Sequence, residues 1–258
     1  MSLNRRMADW PDARVWIIGA SSGIGAALAR ALLERGARVA LSARSAVDLE
    51  RMAAAHGARA LSLPLDVTDA AAVAPALHRV VGAWGGVDLV VLCAGTHQPV
   101  RAWDLDATEG RRLVEVNLNG VINCLPAVVQ QLLQQKSGGI GIVSSVAGYG
   151  GLPTALVYGA TKAALINLAE TLYLDLAPRG LAVYLINPGF VKTPLTDRNT
   201  FRMPALISAD DAATEILAGL ARGAFEIHFP RRFTRWLKLL RLLPYRWYFA
   251  LVRRGTGL

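Results

Sequence analysis

The chain has 258 residues, and one α/β domain of this length buries its core without disulfide or metal staples. Its two cysteines exclude a disulfide framework and favour a reducing compartment, so we expect a cytoplasmic protein. The formal charge of +9 is concentrated in residues 231–258, which hold eight basic residues and no acidic one, so residues 1–230 carry only +1. Because no recognition motif accompanies this charge, we expect no nucleic-acid partner.

Strand-like and helix-like segments alternate along residues 15–229. The first ten residues have no apolar run behind their charges and predict no signal peptide. The predicted strands are short runs rich in Val, Ile and Leu, typical of strands buried on both faces: 15–18, 39–42, 60–63, 87–92, 140–143, 182–186 and 225–229. The predicted helices are 24–34, 47–55, 70–84, 108–134, 158–177 and 210–221. This alternation predicts a single doubly wound α/β domain over residues 1–230.

A glycine-rich turn follows the first predicted strand directly. Three glycines stand there in the spacing G-x-x-x-G-x-G, and a helix begins among them. Glycines let the backbone turn sharply and approach a ligand, and a helix N-terminus attracts phosphate. The turn predicts a dinucleotide site, with a tight turn that binds nothing as the alternative. The candidate contacts are Gly19, Ser21, Ser22, Gly23, Ile24 and Gly25.

The ends of the second and third predicted strands bear on which dinucleotide is bound. Ala43 offers no carboxylate for the ribose 2′-hydroxyl of NAD, whereas Arg44 offers a guanidinium that suits the 2′-phosphate of NADP. We therefore expect NADP(H) to be favoured over NAD(H), with an ordinary surface arginine as the alternative. Asp66 and Val67 could hold the adenine, or Asp66 could only cap the following helix.

Tyr158 and Lys162 predict acid–base chemistry. They stand four residues apart near the start of a predicted helix, so they project from the same face. A neighbouring ammonium favours phenolate and should lower the pKa of Tyr158, which would make the phenol a general acid or base. The alternative is a surface pair, because this spacing is common.

Ser145 and Asn117 are further candidates. Ser145 follows the fifth predicted strand, and ligands of open α/β sheets bind at the carboxyl ends of the strands. Its hydroxyl could donate to an oxygen that becomes negative, or only cap a helix. Asn117 lies inside a long apolar helix, where asparagine is unfavourable, so it predicts a buried hydrogen bond or a role in a proton path.

Taken together, these residues make the chain resemble the short-chain dehydrogenase/reductase family over roughly residues 12–230. The shared features, in family order, are Gly19-x-x-x-Gly23-x-Gly25, Asp66, Ala94-Gly95, Asn117, Ser145, Tyr158-x-x-x-Lys162 and Asn187-Pro188-Gly189 with Thr193. The resemblance implies a Rossmann-type fold with a seven-stranded parallel sheet. It also implies a nicotinamide cofactor, hydride transfer at an alcohol or carbonyl group, and no metal.

The resemblance implies a role for each of these residues. Tyr158 gives or takes the proton of the carbonyl oxygen while Ser145 holds that oxygen. Lys162 binds the nicotinamide ribose and depresses the tyrosine pKa, and Asn117 holds a water that links Lys162 to solvent. Pro188 and Gly189 line the nicotinamide pocket, and Thr193 bonds the carboxamide. The cofactor contacts beyond the glycine turn are then Arg44, Asp66, Val67, Ala94, Gly95, Tyr158, Lys162, Pro188, Gly189, Val191 and Thr193.

Two positions depart from the family pattern. Ile18 stands where the family usually has threonine, and Leu92-Cys93 stands where it usually has two asparagines. We expect apolar packing of Ile18 and Leu92 to replace the polar ties between these neighbouring strands. The change concerns local hydrogen bonds and not the reaction.

The segment after Thr193 predicts a hydrophobic small-molecule substrate, or apolar cover for the sheet edge. Its apolar residues are Pro194, Leu195, Phe201, Met203, Pro204, Ala205, Leu206 and Ile207. A non-catalytic dinucleotide-binding redox-sensing protein is the rival function. It is less favoured because Ser145, Tyr158 and Lys162 are all present.

Residues 231–258 predict a basic amphipathic C-terminal helical tail. Pro244 should end the first helix, and 245–252 is a second apolar stretch. One face of the first helix is apolar, with Phe233, Trp236, Leu237, Leu240 and Leu243. The basic residues fall largely on the other face: Arg231, Arg235, Lys238 and Arg241. The pattern suits peripheral contact with an anionic membrane through 231–254, or docking on the active-site edge or on another subunit. By resemblance we expect a homodimer or homotetramer formed through 108–134 and 158–177.

Overall fold

The computed structural model describes residues 2–199, 201 and 203–256. Within them, seven parallel strands form one sheet in the order β3-β2-β1-β4-β5-β6-β7. The strands are β1 (Arg14–Ile18), β2 (Arg38–Ser42), β3 (Ala60–Ser62), β4 (Leu89–Leu92), β5 (Gly139–Val143), β6 (Ala182–Pro188) and β7 (Glu226–Phe229). This sheet confirms the predicted fold class and every predicted strand, with ends shifted by one or two residues.

Helices cover both faces of the sheet. In the described residues they are α1 (Gly23–Glu34), α2 (Ala46–Ala54), α3 (Ala70–Trp84), α4 (Ala107–Val114), α5 (Gly120–Gln135), α6 (Leu156–Leu176), α7 (Ala209–Arg222), α8 (Arg231–Arg241) and α9 (Tyr245–Thr256). A π-helical turn, Glu115–Asn119, joins α4 to α5, so the predicted helix 108–134 is continuous but locally widened. The run Ala107–Gln135 is long and apolar enough to cross a membrane by length and composition alone. Its apolar stripe, however, packs into the core under the sheet.

The side-chain alternation of β1 shows how the two faces are filled. Val15 and Ile17 join the cluster beneath α1 and α7, whereas Trp16 and Ile18 join the cluster beneath α3, α5 and α6. Every strand residue of β4, β5 and β6 is buried. Burial on both faces is what near-continuous apolar strands predict.

Ile18 and Leu92 are register partners across β1 and β4. Both side chains are almost completely buried in the cluster beneath α3 and α5. The expectation that apolar packing replaces polar ties between these strands is confirmed.

The C-terminal residues form two helices, α8 and α9, separated at Pro244 as predicted. The division into a domain over 1–230 and an extension over 231–258 stays a prediction. The side of α8 that packs on the protein coincides only in part with the predicted apolar face. Leu240 is buried, but Trp236 and Leu243 are exposed, and Lys238 of the predicted basic face forms an ion pair with Glu226 of β7. The partly buried carboxylate of Glu226 offers Lys238 a charge partner that the local sequence pattern does not reveal.

Candidate active site

The glycine turn packs backbone against backbone at the carboxyl end of β1. Gly19 has φ +103°, and a Cβ there would lie 2.6 Å from the amide nitrogen of Ala94. A Cβ on Gly25 would overlap the carbonyl oxygen of Gly19. Both positions therefore require glycine for close approach. The turn brings the residues after β1 and β4 together, as the glycine spacing indicates.

The first turn of α1 offers a cradle for phosphate. Ser22 is the N-cap residue, and its side chain makes no cap hydrogen bond. The first N–H groups of a helix have no intrahelical partner, and the helix dipole favours an anion there. Thr193 lies over this turn, since a Cβ on Gly23 would come within 2.9 Å of its Cγ2. The residues present therefore fit the pyrophosphate of a dinucleotide.

The candidate residues after β2 and β3 lie near each other. Arg44 is exposed. The pKa of Asp66 is lowered chiefly by the hydrogen bond from the Thr68 amide, and the positive charge of Arg44 contributes to the lowering. The Asp66 carboxylate accepts from Thr68 N at 3.0 Å, while Asp69 is the residue that caps α3. Val67 is buried against α5. Asp66 therefore stabilises the turn after β3, and it is not the residue that caps α3.

Ser145, Tyr158 and Lys162 converge beyond the carboxyl end of β5. Tyr158 lies in the first turn of α6, and the Ser145 side chain lies close enough to its phenol to lower the phenol's pKa. Lys162, one turn later, is buried and donates from Nζ to the carbonyl oxygen of Val143 at 3.0 Å. Its Nζ lies 5.7 Å from the centroid of the Tyr158 ring. Ser144 points away and donates to the Lys162 carbonyl oxygen at 2.7 Å, so Ser145 is the serine that reaches the phenol.

Burial governs the protonation of this group. It raises the pKa of Tyr158 to about 12, and the nearby Ser145 side chain opposes that rise. It lowers the pKa of Lys162 to about 8. Because desolvation is the largest cause, the pKa of Tyr158 lies above its ordinary value in this arrangement. The lowering of this pKa by Lys162 stays a prediction. At neutral pH Tyr158 is a protonated donor beside a largely charged Lys162.

Asn117 lies fully buried in the π-helical turn between α4 and α5. Its Oδ1 accepts from the amide of Thr96 at 2.7 Å, and its Nδ2 donates to the carbonyl oxygen of the same residue at 2.9 Å. Nδ2 also lies 3.4 Å from the Thr161 hydroxyl, next to Lys162. Of the two reasons predicted for this asparagine, the structure shows the buried hydrogen bond. π-helical turns are frequent at functional sites.

The remaining candidates surround the same opening. A Cβ on Gly95 would lie 3.4 Å from Asn117 Oδ1 and 3.7 Å from Lys162 Nζ. Pro188 ends β6, and the amide of Gly189 donates to the carbonyl oxygen of Phe229 at 2.7 Å. Val191 is buried and bridges to Ile207. The sheet therefore brings the segments after β1, β4, β5 and β6 to one edge.

His97 is a residue at this site that the sequence reasoning missed. Its ring lies over that of Tyr158, with centroids 4.5 Å apart, and its Nε2 is 3.1 Å from Asn199 Oδ1. Burial lowers its pKa, so the imidazole is neutral at pH 7. The chain has only four histidines, and this one follows Gly95 by two residues. That position was the signal which could have found it.

Comparison with known proteins agrees with this geometry. Residues 13–202 match the family described as short chain dehydrogenase. An uncharacterized oxidoreductase of Myxococcus xanthus is 36% identical over 251 residues, covering 96% of this chain and 99% of its own. The cis-4-hydroxycyclohexanecarboxylate dehydrogenase of Sinomonas cyclohexanicum is 36% identical over 209 residues, covering 80% of this chain and 82% of its own.

A solved structure shares the fold along almost its whole length. The 3-ketoacyl-(acyl-carrier-protein) reductase from Brucella melitensis, complexed with NADH, is 28% identical with a TM-score of 0.77. The alignment covers 86% of this chain and 99% of the reductase. With the family match over most of the chain, these similarities identify a member of the short-chain dehydrogenase family, an NAD(P)-dependent oxidoreductase acting on CH–OH and C=O groups.

Proposed function

We propose that this chain is an NADP(H)-dependent oxidoreductase that interconverts a carbonyl and an alcohol on a hydrophobic small molecule. The observation that carries the proposal is the convergence of three side chains: Lys162 is buried with its Nζ 5.7 Å from the centroid of the Tyr158 ring, and Ser145 lies beside the phenol. A sensor that only bound dinucleotide would have no need of this acid–base group. The rival function, a non-catalytic redox-sensing protein, is therefore the weaker candidate.

Each residue of the group has a distinct part in the proposed reaction. When bound, the cofactor supplies or accepts a hydride. Tyr158 holds the proton that goes to the carbonyl oxygen, and Ser145 donates a hydrogen bond to that oxygen as it becomes negative. Lys162 stabilises the phenolate that remains. Asn117 lies on the Lys162 side of the group and would hold the water that returns protons to it.

The cofactor preference depends on Arg44. Ala43 offers no carboxylate to a ribose 2′-hydroxyl, and the exposed guanidinium of Arg44 beside Asp66 can form paired hydrogen bonds with a 2′-phosphate. The Brucella reductase was solved with NADH, so the preference for NADP(H) rests on this chain's own arginine. Glycines 19, 23 and 25 and the start of α1 would hold the pyrophosphate of either dinucleotide.

Arg44→Ala tests the cofactor site by titration of the protein with NADPH and with NADH, followed by nicotinamide fluorescence. We expect the variant to bind NADPH about 10- to 100-fold more weakly and NADH unchanged, because a hydrogen bond to a charged group contributes about 1.5–3 kcal/mol. Arg51→Ala is the matched control, since Arg51 is an exposed arginine of α2 paired with Asp48. Equal binding of both cofactors by the wild type would overturn the preference for NADP(H). Failure of both to bind would overturn the enzymatic proposal.

The substrate side is apolar where the structure describes it. Phe190 contacts Phe201 with ring centroids 5.7 Å apart and Phe233 of α8 at 5.9 Å. Leu206 is exposed in the same segment, whereas Ile207 packs on the core. Residues 200 and 202 of this segment lie outside the described residues. The relative from Sinomonas is named for a cyclohexane alcohol that also carries a carboxylate, which supports an alcohol on an apolar ring as the reacting group.

A homo-oligomer formed through α5 and α6 is part of the proposal. Ile122 of α5 and Leu174 of α6 are large exposed apolar side chains on these helices. A shallow apolar depression on α5 adds to this surface, lined by Leu125, Pro126, Val129, Gln130, Leu133 and Gln134. We expect light scattering to give the mass of a dimer or tetramer. A mass of 27.6 kDa, that of one chain, would contradict it.

A further inference from the structure

Helix α8 is held to the protein by a polar junction on its inner side. Lys238 pairs with Glu226 of β7, and the Tyr149 hydroxyl donates to the same carboxylate at 2.6 Å. The buried Thr234 hydroxyl lies 2.6 Å from Nδ1 of His228. These partners are partly or fully buried, so they fix which face of α8 points toward the protein.

Helix α9 is held against the protein by one residue, Tyr248. Tyr248 is 5% exposed, and its hydroxyl donates to the carbonyl oxygen of Gly151 at 2.8 Å. Leu240 of α8 is also 5% exposed on this inner side. The two helices together cover the segment that follows Ser145, whose residues here are Val146, Tyr149, Gly150 and Leu152. The inner side of the two helices therefore docks on the edge of the active site, which is one of the predicted alternatives for the tail.

Both helices also carry large apolar side chains that are exposed. We define the outer face of the tail by its exposed large side chains: Trp236, Leu239, Leu242, Leu243, Tyr245, Trp247, Phe249 and Leu251. Leu242 is 80% exposed and Trp247 is 60% exposed. Large exposed apolar side chains gathered in one short segment are typical of a contact with another molecule or with a membrane.

The charge around the outer face has one sign. Residues 231–258 hold seven arginines and no acidic residue. All seven arginines are exposed, and within the described residues none of them forms an ion pair. Lys238, the eighth basic residue, is the one neutralised by the protein. The outer face thus combines uncompensated positive charge with indole and leucine side chains.

We propose that the outer face of α8 and α9 binds the surface of an anionic lipid bilayer. Helices that lie in a membrane interface present Trp, Phe and Leu to the acyl boundary and Arg to the headgroups. Long arginine side chains reach the headgroups while their stems cover apolar surface. Negative lipids attract such basic segments electrostatically.

A second copy of the chain fits this surface less well. Two tails packed face to face would bring seven uncompensated arginines against seven more, and the rest of the chain carries only +1. A nucleic acid would complement the charge but would leave the indole and leucine side chains in water. An anionic bilayer satisfies both features. This binding does not depend on the reaction that the active site performs.

The test is flotation of the full-length protein with phosphatidylcholine vesicles that contain or lack phosphatidylserine. We expect binding that requires phosphatidylserine and weakens as salt is added. Replacing Arg232, Arg235 and Arg246 with glutamine should lower partition into phosphatidylserine vesicles about 10²-fold. Trp236→Gln and Trp247→Gln should each lower it about 10-fold. Trp103→Gln is the matched control, because Trp103 is 79% exposed outside the tail.

Wild type and variants are also compared for melting temperature and for mass by light scattering, which should agree because the substituted side chains are exposed. Binding that is absent, or that ignores phosphatidylserine, overturns the proposal. A lower mass in the tail variants identifies a second copy as the occupant and overturns it as well. Binding to duplex DNA that the arginine variants lose and the tryptophan variants keep, together with no flotation, identifies a nucleic acid instead.

Discussion

Replacing Tyr158 with phenylalanine is expected to lower kcat for carbonyl reduction by about 10²- to 10⁴-fold, the range contributed by a positioned acid or base. Affinity for NADPH and melting temperature should change little. The assay follows NADPH consumption with hydrophobic ketones, and oxidation of hydrophobic alcohols with NADP in the other direction. Tyr158→Phe removes one oxygen and keeps the ring.

The reason for this large effect is that the described side chains beside Tyr158 are poorly suited to supply the proton in its place. Burial raises the pKa of Tyr158 to about 12, so the residue is a proton donor at neutral pH. The ring of His97 lies against the ring of Tyr158, but burial lowers the pKa of His97. Its imidazole is therefore uncharged at neutral pH. Lys162 is committed to the Val143 carbonyl oxygen. Phenylalanine keeps the ring contacts with His97 and Lys162, so the packing of α6 should be retained.

Tyr173→Phe is the control for this prediction. Tyr173 lies on the same helix, its hydroxyl donates to the carbonyl oxygen of Leu3 at 2.9 Å, and its ring packs on Phe225. Its loss of one hydroxyl should leave kcat within about twofold of wild type, because a partly exposed hydrogen bond contributes only about 1 kcal/mol to stability. If Tyr158→Phe retained a tenth or more of the wild-type kcat, the proposed proton donor would be wrong.

The fold was predictable because its pattern is local. Short runs of Val, Ile and Leu indicate strands buried on both faces, and each run became a strand of the sheet. The apolar contact between Ile18 and Leu92 was also predictable, because the two residues end neighbouring strands and lie opposite each other in the sheet. Parallel strands place their carboxyl ends at one edge, so the candidate residues after β1, β4, β5 and β6 had to meet there.

What was not predictable depends on partners far apart in sequence. Helical periodicity placed Trp236 on the apolar face of α8 and Lys238 on the basic face, yet Lys238 is the residue that pairs with Glu226 of β7, and Trp236 is exposed. The neighbour of Tyr158 is His97, and 61 residues separate them. The pKa of Tyr158 depends on how fully the site is desolvated, which the spacing of Tyr158 and Lys162 does not reveal.

The second large effect is expected from one added methyl group at the cofactor turn. Gly25→Ala should lower the melting temperature by roughly 5–10 °C, because overpacking of about 1–3 kcal/mol shifts a chain of this size by a few degrees per kcal/mol. It should also weaken binding of both NADPH and NADH by about 10²-fold. The new Cβ would overlap the carbonyl oxygen of Gly19, which is backbone and cannot rotate away.

Relief of that overlap must move either the turn or the start of α1. The turn is held by Gly19, whose amide donates to the Ser42 carbonyl oxygen at 2.7 Å, and by its close approach to Ala94. The start of α1 is the proposed phosphate cradle, so a shift there misplaces the N–H groups that would meet the pyrophosphate. Differential scanning calorimetry and fluorescence titration measure the two consequences separately.

Gly82→Ala distinguishes this steric effect from the general effect of adding alanine to a helix. Gly82 lies in α3, and a Cβ there would meet no atom within 4 Å. That variant should be more stable by about 0.5–1 kcal/mol, because alanine is the better helix former, with cofactor affinity unchanged. If Gly25→Ala behaved like Gly82→Ala, then α1 could shift without loss and its first turn would not be the phosphate site. Loss of both stability and cofactor affinity in Gly25→Ala alone would tie the close backbone contact of β1 and α1 to dinucleotide binding.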